Sequence, residues 1–499
     1  MNFVSNLRQK FKNFASDSIF WYGILVLILG VVYVATLLPG VGYSGDTAKF
    51  QFVGRVLGTP QGPGYPTYII LNHLFTKFFP IGSLAYKANL LSALFSIVSC
   101  LFLFHILKLL FNLKNNIAFI TSLTAGFTPA LWSQSIVAEV YTLHILFVTI
   151  VFYFLIKWNK TRQDSNFLIA CAFYAFSFGN HPTTITLLPA IIYFVWSTDK
   201  KVFTNIRKII WVNLFIIMAA LQYSYSFCRF YASHTSYLEV QTPNFKTFFW
   251  YVAGMHIPRI FSFSITQVIS ERIPLFLGLL LKQYLFLIPV AIFGMFKLKN
   301  KTVNLFLLLC FLGNMLFMIN YNSTENNMFV FFLPNYLIVA IYLGVGLDSI
   351  RTALFRKSLI FYSSLLILIP TILLFANYGK VNQHNNTQVA REIETILETV
   401  KKDSIIISPN YDYSEYFWYY LIGEGLECNN IYIMHHYSTE AVQAYICEDK
   451  SFYLWEQRKN APPGLAVYVY RITPERRAIL EHNSFSPLEV RKALYKVER

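Results

Sequence analysis

The chain has 499 residues, of which 55% are hydrophobic, 18% are aromatic and only 13% are charged. The charged share is about half that of an ordinary soluble domain, so the composition excludes a soluble globular protein and predicts a multi-pass membrane protein. The net charge of +16 is the sum of +18 in residues 1–376 and −2 in residues 377–499. The Lys and Arg of the first region come in short groups between apolar runs, a pattern that favours a membrane-orientation signal over nucleic-acid binding.

The apolar runs predict a membrane all-α fold of about 11 transmembrane helices with long outer loops. The first run, residues 19–38, follows Arg8, Lys10 and Lys12 and has no small-residue cleavage site after it, so we expect an uncleaved first helix. The other runs lie at about 89–111, 116–132, 140–158, 167–180, 184–196, 209–227, 273–296, 302–320, 328–347 and 358–376.

The basic residues predict the orientation of these helices. With eleven spans, the basic groups between successive runs fall on the side of the N-terminus, and the connections at 133–139, 181–183 and 321–327 contain no Lys or Arg. By the positive-inside rule the N-terminus is cytoplasmic and the C-terminal tail lies outside. We therefore expect an integral multi-pass protein of a bacterial inner (cytoplasmic) membrane, with a periplasmic or otherwise extracytoplasmic C-terminal domain.

Two regions are predicted along the chain. Residues 1–383 form the transmembrane domain, with outer loops at 39–88 and 228–272, and residues 384–499 form a small extracytoplasmic α/β domain. The evidence for the α/β domain is a helical pattern at 389–402 and three strand-like runs, Ser404–Ser408, Asn430–Met434 and Leu465–Ile472.

The C-terminal region also holds Cys428 and Cys447. An oxidising compartment would permit a disulfide between them, and the alternative is two buried thiols. Both interpretations stay open.

The stretch with the strongest chemical signal lies in the first outer loop. Gly45–Phe50 and Gly58–Pro66 are rich in Gly and Pro, which fix an unusual backbone path. Between them, residues 47–57 have the spacing of a short amphipathic helix. Asp46 stands at the start of that helix, where the helix dipole favours the ionised carboxylate. We predict that Asp46 is the chemical centre of the protein.

Acids are scarce before residue 377, and five of the nine fall on the predicted outer side: Asp46, Glu139, Glu239, Glu271 and Glu325. An acid at the edge of a membrane span is a functional candidate by default. We interpret Glu239, Glu271 and Glu325 as solvated loop acids. Glu139 is either a second acid that positions substrate or a helix-start acid stabilised by the dipole, and both interpretations stay open.

Other polar residues could assist at the predicted outer ends of the membrane spans, which we call the rim. His181 is a candidate for binding a phosphate or hydroxyl, the alternative being a helix cap made by Asn180. Tyr65 and Tyr141 are candidates for positioning substrate. The outer basic residues contact lipid headgroups, or some of them hold a donor phosphate. The donor-phosphate candidates are Lys49, Arg55 and Arg259.

Cofactor motifs are missing from the sequence. There is no P-loop, no Gly-rich dinucleotide turn and no His-rich metal motif. The sequence therefore implies no cofactor, and nothing in it supports a divalent cation.

Several of these stretches resemble the protein O-mannosyltransferase-like multi-pass membrane family of the GT-C glycosyltransferase superfamily. The resemblance rests on residues 46–50, 58–68, 89–94, 132–143, 180–181, 320–321 and 331–334. It implies a glycosyltransferase that uses a polyprenyl-phosphate-linked sugar, with its catalytic acid in the first outer loop, where Asp46 lies. The chain departs from the family pattern at Lys49, where relatives have an acid or amide, and at Gln61–Gly62, where they have His-Pro.

The resemblance implies transfer of a hexose, with mannose favoured, to an acceptor hydroxyl outside the cytoplasm, with inversion at the sugar carbon. Protein Ser or Thr is one such acceptor, and a glycolipid or polysaccharide is the alternative. The expected partners are thus the lipid-linked donor, a protein or glycan acceptor and the bilayer, without nucleic acid. A transporter or lipid flippase is the rival class, but the sequence lacks the paired broken helices of repeated transporter halves.

Overall fold

A computed structural model of the chain describes residues 18–42, 45–231, 237–239, 244–253, 262–322, 325–355, 358–408, 411–426, 430–434, 452–454, 459–461 and 465–498. Each of the eleven apolar runs contains helix. The long helices are Ser18–Thr36, Leu84–His105, Asn115–Gly126, Tyr141–Thr161, Asp164–Ser177, Leu188–Thr198, Ile206–Leu221, Ile273–Tyr284, Ile288–Lys297, Lys301–Ile319, Leu333–Leu354, Leu359–Leu366 and Leu368–Val381.

Within the described residues, eight helical stretches are long and apolar enough to cross a membrane. The three remaining predicted spans are shorter, at Asn115–Gly126, Asp164–Ser177 and the apolar stretch Pro182–Thr198. A helix of twelve residues is about 18 Å long, less than the ~30 Å hydrocarbon core, so by length alone these three cross only part of it.

The distribution of buried residues identifies an integral membrane protein. In the apolar 18-residue core of the stretch Phe329–Leu354, 94% of the residues are buried, whereas the corresponding segments of Ser18–Thr36 and Ile206–Tyr231 are only 22% and 11% buried. The peripheral helices therefore expose large apolar side chains such as Leu27, Val31 and Ile217 along their length. Continuous apolar exposure of this extent is unfavourable in water and is the normal state of a lipid-facing helix.

Further helices lie between these. They are Thr47–Phe52, Pro66–Phe78, Pro129–Ser135, Ser224–Tyr231, Phe245–Val252, Ile265–Gln267 and Glu325–Met328. Shorter 3-10 and π turns lie at Ile106–Leu110, Pro182–Leu187, Lys200–Phe203, Val268–Arg272, Leu285–Leu287, Phe329–Phe332 and Tyr419–Gly423.

The predicted helix at 47–57 begins at Thr47 as expected but ends at Phe52. Residues 53–57 form turns, and Leu57 has a positive φ of 50°. Gly54 lies in these turns, and a Cβ there would overlap the side chain of Asn72. Asn72 of the Pro66–Phe78 helix thus packs directly against the backbone of Gly54.

The C-terminal region folds as helices on a mixed sheet. Its helices are Gln388–Thr399, Tyr411–Trp418 and Pro474–His482, and its strands are β1 Ser404–Ile407, β2 Ile431–Met434, β3 Phe452–Leu454, β4 Lys459–Ala461, β5 Ala466–Tyr470, β6 Ser486–Arg491 and β7 Leu494–Glu498. The main sheet has the order β2-β1-β5-β7-β6, and β3 pairs with β4 separately.

Strand β1 pairs in parallel with β2 and β5, and β7 pairs antiparallel with β5 and β6. The helix at 389–402 and the three predicted strand runs are therefore confirmed within a residue or two at most ends. The hairpin of β6 and β7 was not predicted. Cys428 and Cys447 lie outside the described residues, so the choice between a disulfide and two buried thiols stays open.

The C-terminal region packs against the first outer loop. Phe52 and Tyr237 lie in one buried apolar cluster with Phe417 and Trp418, and the Tyr237 and Trp418 ring centroids are 5.7 Å apart. A Cβ on Gly423 would lie 2.5 Å from Cβ of Phe52. This packing places the Tyr411–Gly423 segment directly beside the Thr47–Phe52 helix.

A glycine pair sets the packing of two central helices. A Cβ on Gly294 would overlap the carbonyl oxygen of Tyr342, and a Cβ on Gly346 would overlap that of Val290. Small residues of this kind let membrane helices approach closely, since packing rather than water exclusion holds such helices together.

We expect Gly294→Ala to destabilise the protein by ~1–3 kcal/mol, because overpacking forces the two helices apart. Thermal unfolding in detergent measures the effect. The matched control is Gly278→Ala, since nothing lies within 4 Å of a Cβ at that position. Equal melting temperatures for both variants would contradict the proposed role of the glycine pair.

Candidate active site

The candidate site is built around the buried ammonium of Lys49. Its Nζ lies 3.1 Å from Asp46 Oδ1, 3.0 Å from Glu239 Oε2 and 3.2 Å from Glu415 Oε1. It also donates a hydrogen bond to Gln61 Oε1 at 2.6 Å. We call these five residues the Lys49 cluster. The three carboxylates come from the first outer loop, the second outer loop and the C-terminal region.

The local sequence explains how Asp46 and Lys49 meet. Asp46 is the cap residue of the Thr47–Phe52 helix, and Lys49 follows one turn later, on the same helix face. Gln61 contacts the second oxygen of Asp46. Its Nε2 donates to Asp46 Oδ2, and its backbone N donates to Glu239 Oε2 at 2.8 Å. Both oxygens of Asp46 are therefore oriented by neighbours.

The members of the cluster differ sharply in exposure. The Asp46 side chain is 40% exposed, whereas those of Lys49 and Glu415 are 2% and 1% exposed. Asp46 is thus the point at which the cluster opens to its surroundings. A reactant that approaches from outside would meet this carboxylate first.

The charges in the cluster are strongly coupled. Burial alone would lower the pKa of Lys49, but Asp46, Glu239 and Glu415 outweigh it and raise that pKa well above its usual value. Burial raises the pKa of Glu415, with Asp46 and Glu239 adding to the rise and Lys49 opposing it. Lys49 therefore stays a cation, and its single positive charge pairs with three carboxyl groups.

Glu139 reaches the site through the same short helix. It lies between the Pro129–Ser135 and Tyr141–Thr161 helices, is 8% exposed, and accepts a hydrogen bond from the Thr47 hydroxyl at 3.1 Å. Burial and the charge of Asp46 raise the pKa of Glu139 to about 8, against the hydrogen bond from Thr47 and the charge of Lys49. At neutral pH this second acid is mostly a neutral carboxylic acid.

Asn89 joins the loop before Glu139 to the first outer loop. Its Oδ1 accepts hydrogen bonds from Ala138 N at 2.8 Å and from Gln51 Nε2 at 3.0 Å, and its Nδ2 donates to Leu38 O at 2.8 Å. Asn89 is completely buried, so these bonds are shielded from competing water. The position of Glu139 relative to Asp46 is thereby fixed.

Aromatic rings form a wall beside these acids. The His181 ring centroid lies 6.1 Å from that of Tyr65, 5.5 Å from that of Tyr141 and 6.3 Å from that of Phe331. Burial raises the pKa of Tyr65 well above its usual value, and Asp46 adds to the rise, which places the phenol within electrostatic reach of the acid. The structure therefore brings Tyr65, Tyr141 and His181 together.

His181 also begins the Pro182–Leu187 turn. Its own Nδ1 accepts a hydrogen bond from Thr183 N at 3.4 Å, while Asn180 Nδ2 donates to Val140 O at 3.1 Å. The alternative interpretation named Asn180 as the helix cap, and this is wrong, because the capping residue is His181. His181 fills the capping position with its ring turned to the aromatic wall.

The donor-phosphate candidates do not come together. Lys49 faces carboxylates, which does not favour the predicted phosphate-binding role, and Arg55 is exposed beyond the end of the Thr47–Phe52 helix. Arg259 lies outside the described residues. Arg272 is buried and donates to the carbonyl oxygens of Ile319 and Tyr321, each at 3.0 Å.

Two acids of the cluster were missed. The interpretation of Glu239 as a solvated loop acid is wrong, because it is 9% exposed and pairs with Lys49. A backbone bridge holds it: Thr59 N donates to Tyr237 O and Glu239 N donates to Thr59 O, each at 3.0 Å. Glu415 was not considered at all, because it lies 366 residues from Lys49 in the sequence.

A metal site does not emerge from this set of acids. Among the residues that the structure describes, no group of three or more His, Cys, Asp or Glu side chains could hold a metal ion. The cation at the centre of the described site is the Lys49 ammonium.

A long apolar groove adjoins the site. Its volume is about 750 Å³, and helices Asp164–Ser177, Leu188–Thr198, Ile206–Leu221 and Phe245–Val252 line it. From Lys208 to Ala220 it follows one helix for about 18 Å. Its other end, at Phe178, is next to Gly179, whose carbonyl accepts a hydrogen bond from Thr67 N at 3.0 Å. The groove thus leads from the membrane interior towards the Gly58–Pro66 loop.

Comparison with known proteins gives a match that includes Asp46, Lys49 and Gln61 of the Lys49 cluster but not Glu239 or Glu415. Residues 46–204 match the family described as Protein O-mannosyl-transferase TMEM260 N-terminal domain. The chain is 30% identical to Protein O-mannosyl-transferase TMEM260 of Mus musculus over 177 residues, which are 34% of this chain and 25% of that protein. It is 23% identical to the Dictyostelium discoideum protein of that name over 158 residues, 31% of this chain and 19% of that one. The matched regions thus span a quarter or less of these relatives.

The similarity in fold is more extensive. The crystal structure of ArnT from Cupriavidus metallidurans bound to undecaprenyl phosphate superimposes with a TM-score of 0.65 at 11% identity, covering 96% of this chain and 97% of that one. The chain is therefore similar to the TMEM260 O-mannosyltransferases over residues 46–204, and it has the GT-C fold of ArnT along nearly its whole length.

Proposed function

We propose that the protein is a membrane glycosyltransferase that moves a hexose from a polyprenyl-phosphate donor to an acceptor hydroxyl. The observation that carries the proposal is Asp46: an oriented carboxylate, 40% exposed, held 3.1 Å from a buried ammonium. The similarity to named O-mannosyltransferases lies in the same region and favours mannose as the sugar and a Ser or Thr hydroxyl of a protein as the acceptor.

Asp46 acts as the general base in this proposal. The acceptor oxygen forms a bond to the anomeric carbon, the bond from that carbon to the phosphate oxygen breaks, and the acceptor proton passes to Asp46. The departing lipid phosphate is already a stable anion, so it needs no proton from an acid. Attack opposite the phosphate inverts the configuration at the anomeric carbon.

Other residues of the rim position the reactants. Glu139, largely neutral at pH 7, would donate a hydrogen bond to a sugar or acceptor oxygen, and Tyr65, Tyr141 and His181 would confine the sugar beside Asp46. Arg55 is our candidate among the described residues for contact with the donor phosphate, because its side chain is exposed.

The apolar groove is the proposed path of the donor lipid. Its lining is almost wholly apolar, which suits an isoprenoid chain, and its outer end lies beside the loop that carries Gln61 and Tyr65. The undecaprenyl phosphate in the ArnT structure supports a lipid of this class for the shared fold.

We further propose that the rim faces the outer side of a bacterial cytoplasmic membrane and that the N-terminus is cytoplasmic. The support is the charge pattern: the short connections on the proposed outer side contain no Lys or Arg.

The first prediction concerns the base. Asp46→Asn keeps the size and hydrogen bonding of the side chain but removes its basicity, so turnover should fall by ~10²–10⁴-fold. Turnover of a purified lipid-linked mannose donor in detergent measures this. Glu139→Gln should cost less because its role is positional, and Glu271→Gln, an exposed outer acid, is the matched control. If Asp46→Asn and Glu139→Gln both kept normal turnover, the proposed function would be wrong.

The second prediction concerns the donor lipid. Ala220→Trp should fill the groove and raise KM for a long-chain donor by roughly 10-fold, the effect of losing about two buried CH₂ groups. A donor with a short isoprenoid chain should be affected less. Ile217→Trp on the exposed face of the same helix is the control. Equal KM values in the two variants would place the lipid elsewhere.

The third prediction concerns orientation. A cysteine introduced at exposed Asn483, in a background without native cysteines, should react with an impermeant maleimide on cells whose outer membrane alone is opened. A cysteine at exposed Lys201 should react only after the cytoplasmic membrane is broken. The reverse pattern would place Asp46 in the cytoplasm and remove the support for a lipid-linked donor.

A further inference from the structure

We propose that Glu415 is a positioning residue of the active site, so that the C-terminal domain completes the site rather than merely covering it. Through Lys49, Glu415 fixes the place and the charged surroundings of Asp46. This inference rests on the proposed function of Asp46 as the base.

Glu415 holds Lys49 at two points. Its Oε1 lies 3.2 Å from Lys49 Nζ, and its Oε2 accepts a hydrogen bond from the backbone N of Lys49 at 3.3 Å. Lys49 Nζ in turn lies 3.1 Å from Asp46 Oδ1. One carboxylate therefore fixes both ends of the lysine that orients the base.

The contact is part of a buried interface. The Glu415 side chain is only 1% exposed. Phe417 and Trp418, shortly after it in the chain, are fully buried. Trp418 packs on Tyr237, and Tyr237 packs on Phe52 with ring centroids 5.1 Å apart. Exposed ion pairs contribute little, whereas loss of one member of a buried pair leaves an uncompensated charge. Glu415 is therefore held where its loss must affect Lys49.

Lys49 balances several acids at once. The charged and titratable groups that act on the cluster are Asp46, Glu139, Glu239, Asp412, Glu415, Tyr65 and Tyr237. Lys49 lies against three of these carboxylates and is the cation among them. Removal of Lys49 should therefore leave the Asp46 carboxylate without the ammonium that orients it.

The test is a double-mutant cycle with Glu415→Gln and Lys49→Met in the full-length protein. If Glu415 acts through Lys49, Glu415→Gln lowers kcat about 10-fold or more with little change in KM. In the Lys49→Met background the same substitution changes kcat less than 2-fold. Melting temperatures in detergent confirm that each variant is folded.

Glu424→Gln is the matched control, because Glu424 belongs to the same segment but is exposed and accepts a hydrogen bond from Tyr419 at 2.7 Å. Wild-type turnover is expected for it. If either single variant fails to fold, Glu415→Asp and Lys49→Arg replace it, because they keep the charges and alter only the geometry.

Two results would overturn the inference: wild-type kcat in Glu415→Gln, or an equal loss of kcat in both backgrounds, which indicates a purely structural role. Either can occur while Asp46→Asn still abolishes turnover, and then the inference alone fails. Normal turnover in both Asp46→Asn and Glu139→Gln would instead refute the proposed function itself.

Discussion

The structure of the outer rim depends on one buried ammonium. Removal of Lys49 from water is costly, and three carboxylates and an amide oxygen compensate for the cost. Because the carboxylates belong to three distant parts of the chain, the charge balance is satisfied only when both outer loops and the C-terminal region are in place. The same interaction thus assembles the rim and orients its most exposed acid.

This arrangement gives Asp46 and Glu139 different surroundings. Asp46 is partly exposed and close to a cation, whereas Glu139 is buried and keeps its proton at neutral pH. The exposed Asp46 carboxylate can accept hydrogen bonds, whereas burial raises the pKa of Glu139 and favours its proton-bearing form, which can donate one. In the proposed reaction, the aromatic wall at His181 and the apolar groove would restrict water and direct an amphipathic donor to the open face of Asp46.

Much of the fold was predictable from the sequence because its signals are local. Long apolar runs identify the helices, and short β-rich runs identify β1, β2 and β5. The hairpin of β6 and β7 was missed because its exposed strand, Ser486–Arg491, mixes Pro and charged residues and lacks a clear apolar alternation. Asp46 attracted attention because Gly and Pro surround it in the sequence, and the structure makes it the exposed carboxylate beside Lys49; its catalytic role stays a prediction.

The remaining members of the cluster could not be found in this way. Nothing near Glu415 or Glu239 in the sequence indicates that either will meet a lysine hundreds of residues away, and an isolated Glu in a polar segment is most often solvated. One indirect signal was present: a Lys three residues after the predicted catalytic acid requires buried counter-charges if its helix face is turned inward. The counter-charges must come from Asp or Glu, and this chain contains few of them. A buried cation beside a candidate base is therefore a reason to search the outer and C-terminal segments for acids, and such acids belong to the site even where they never touch the substrate.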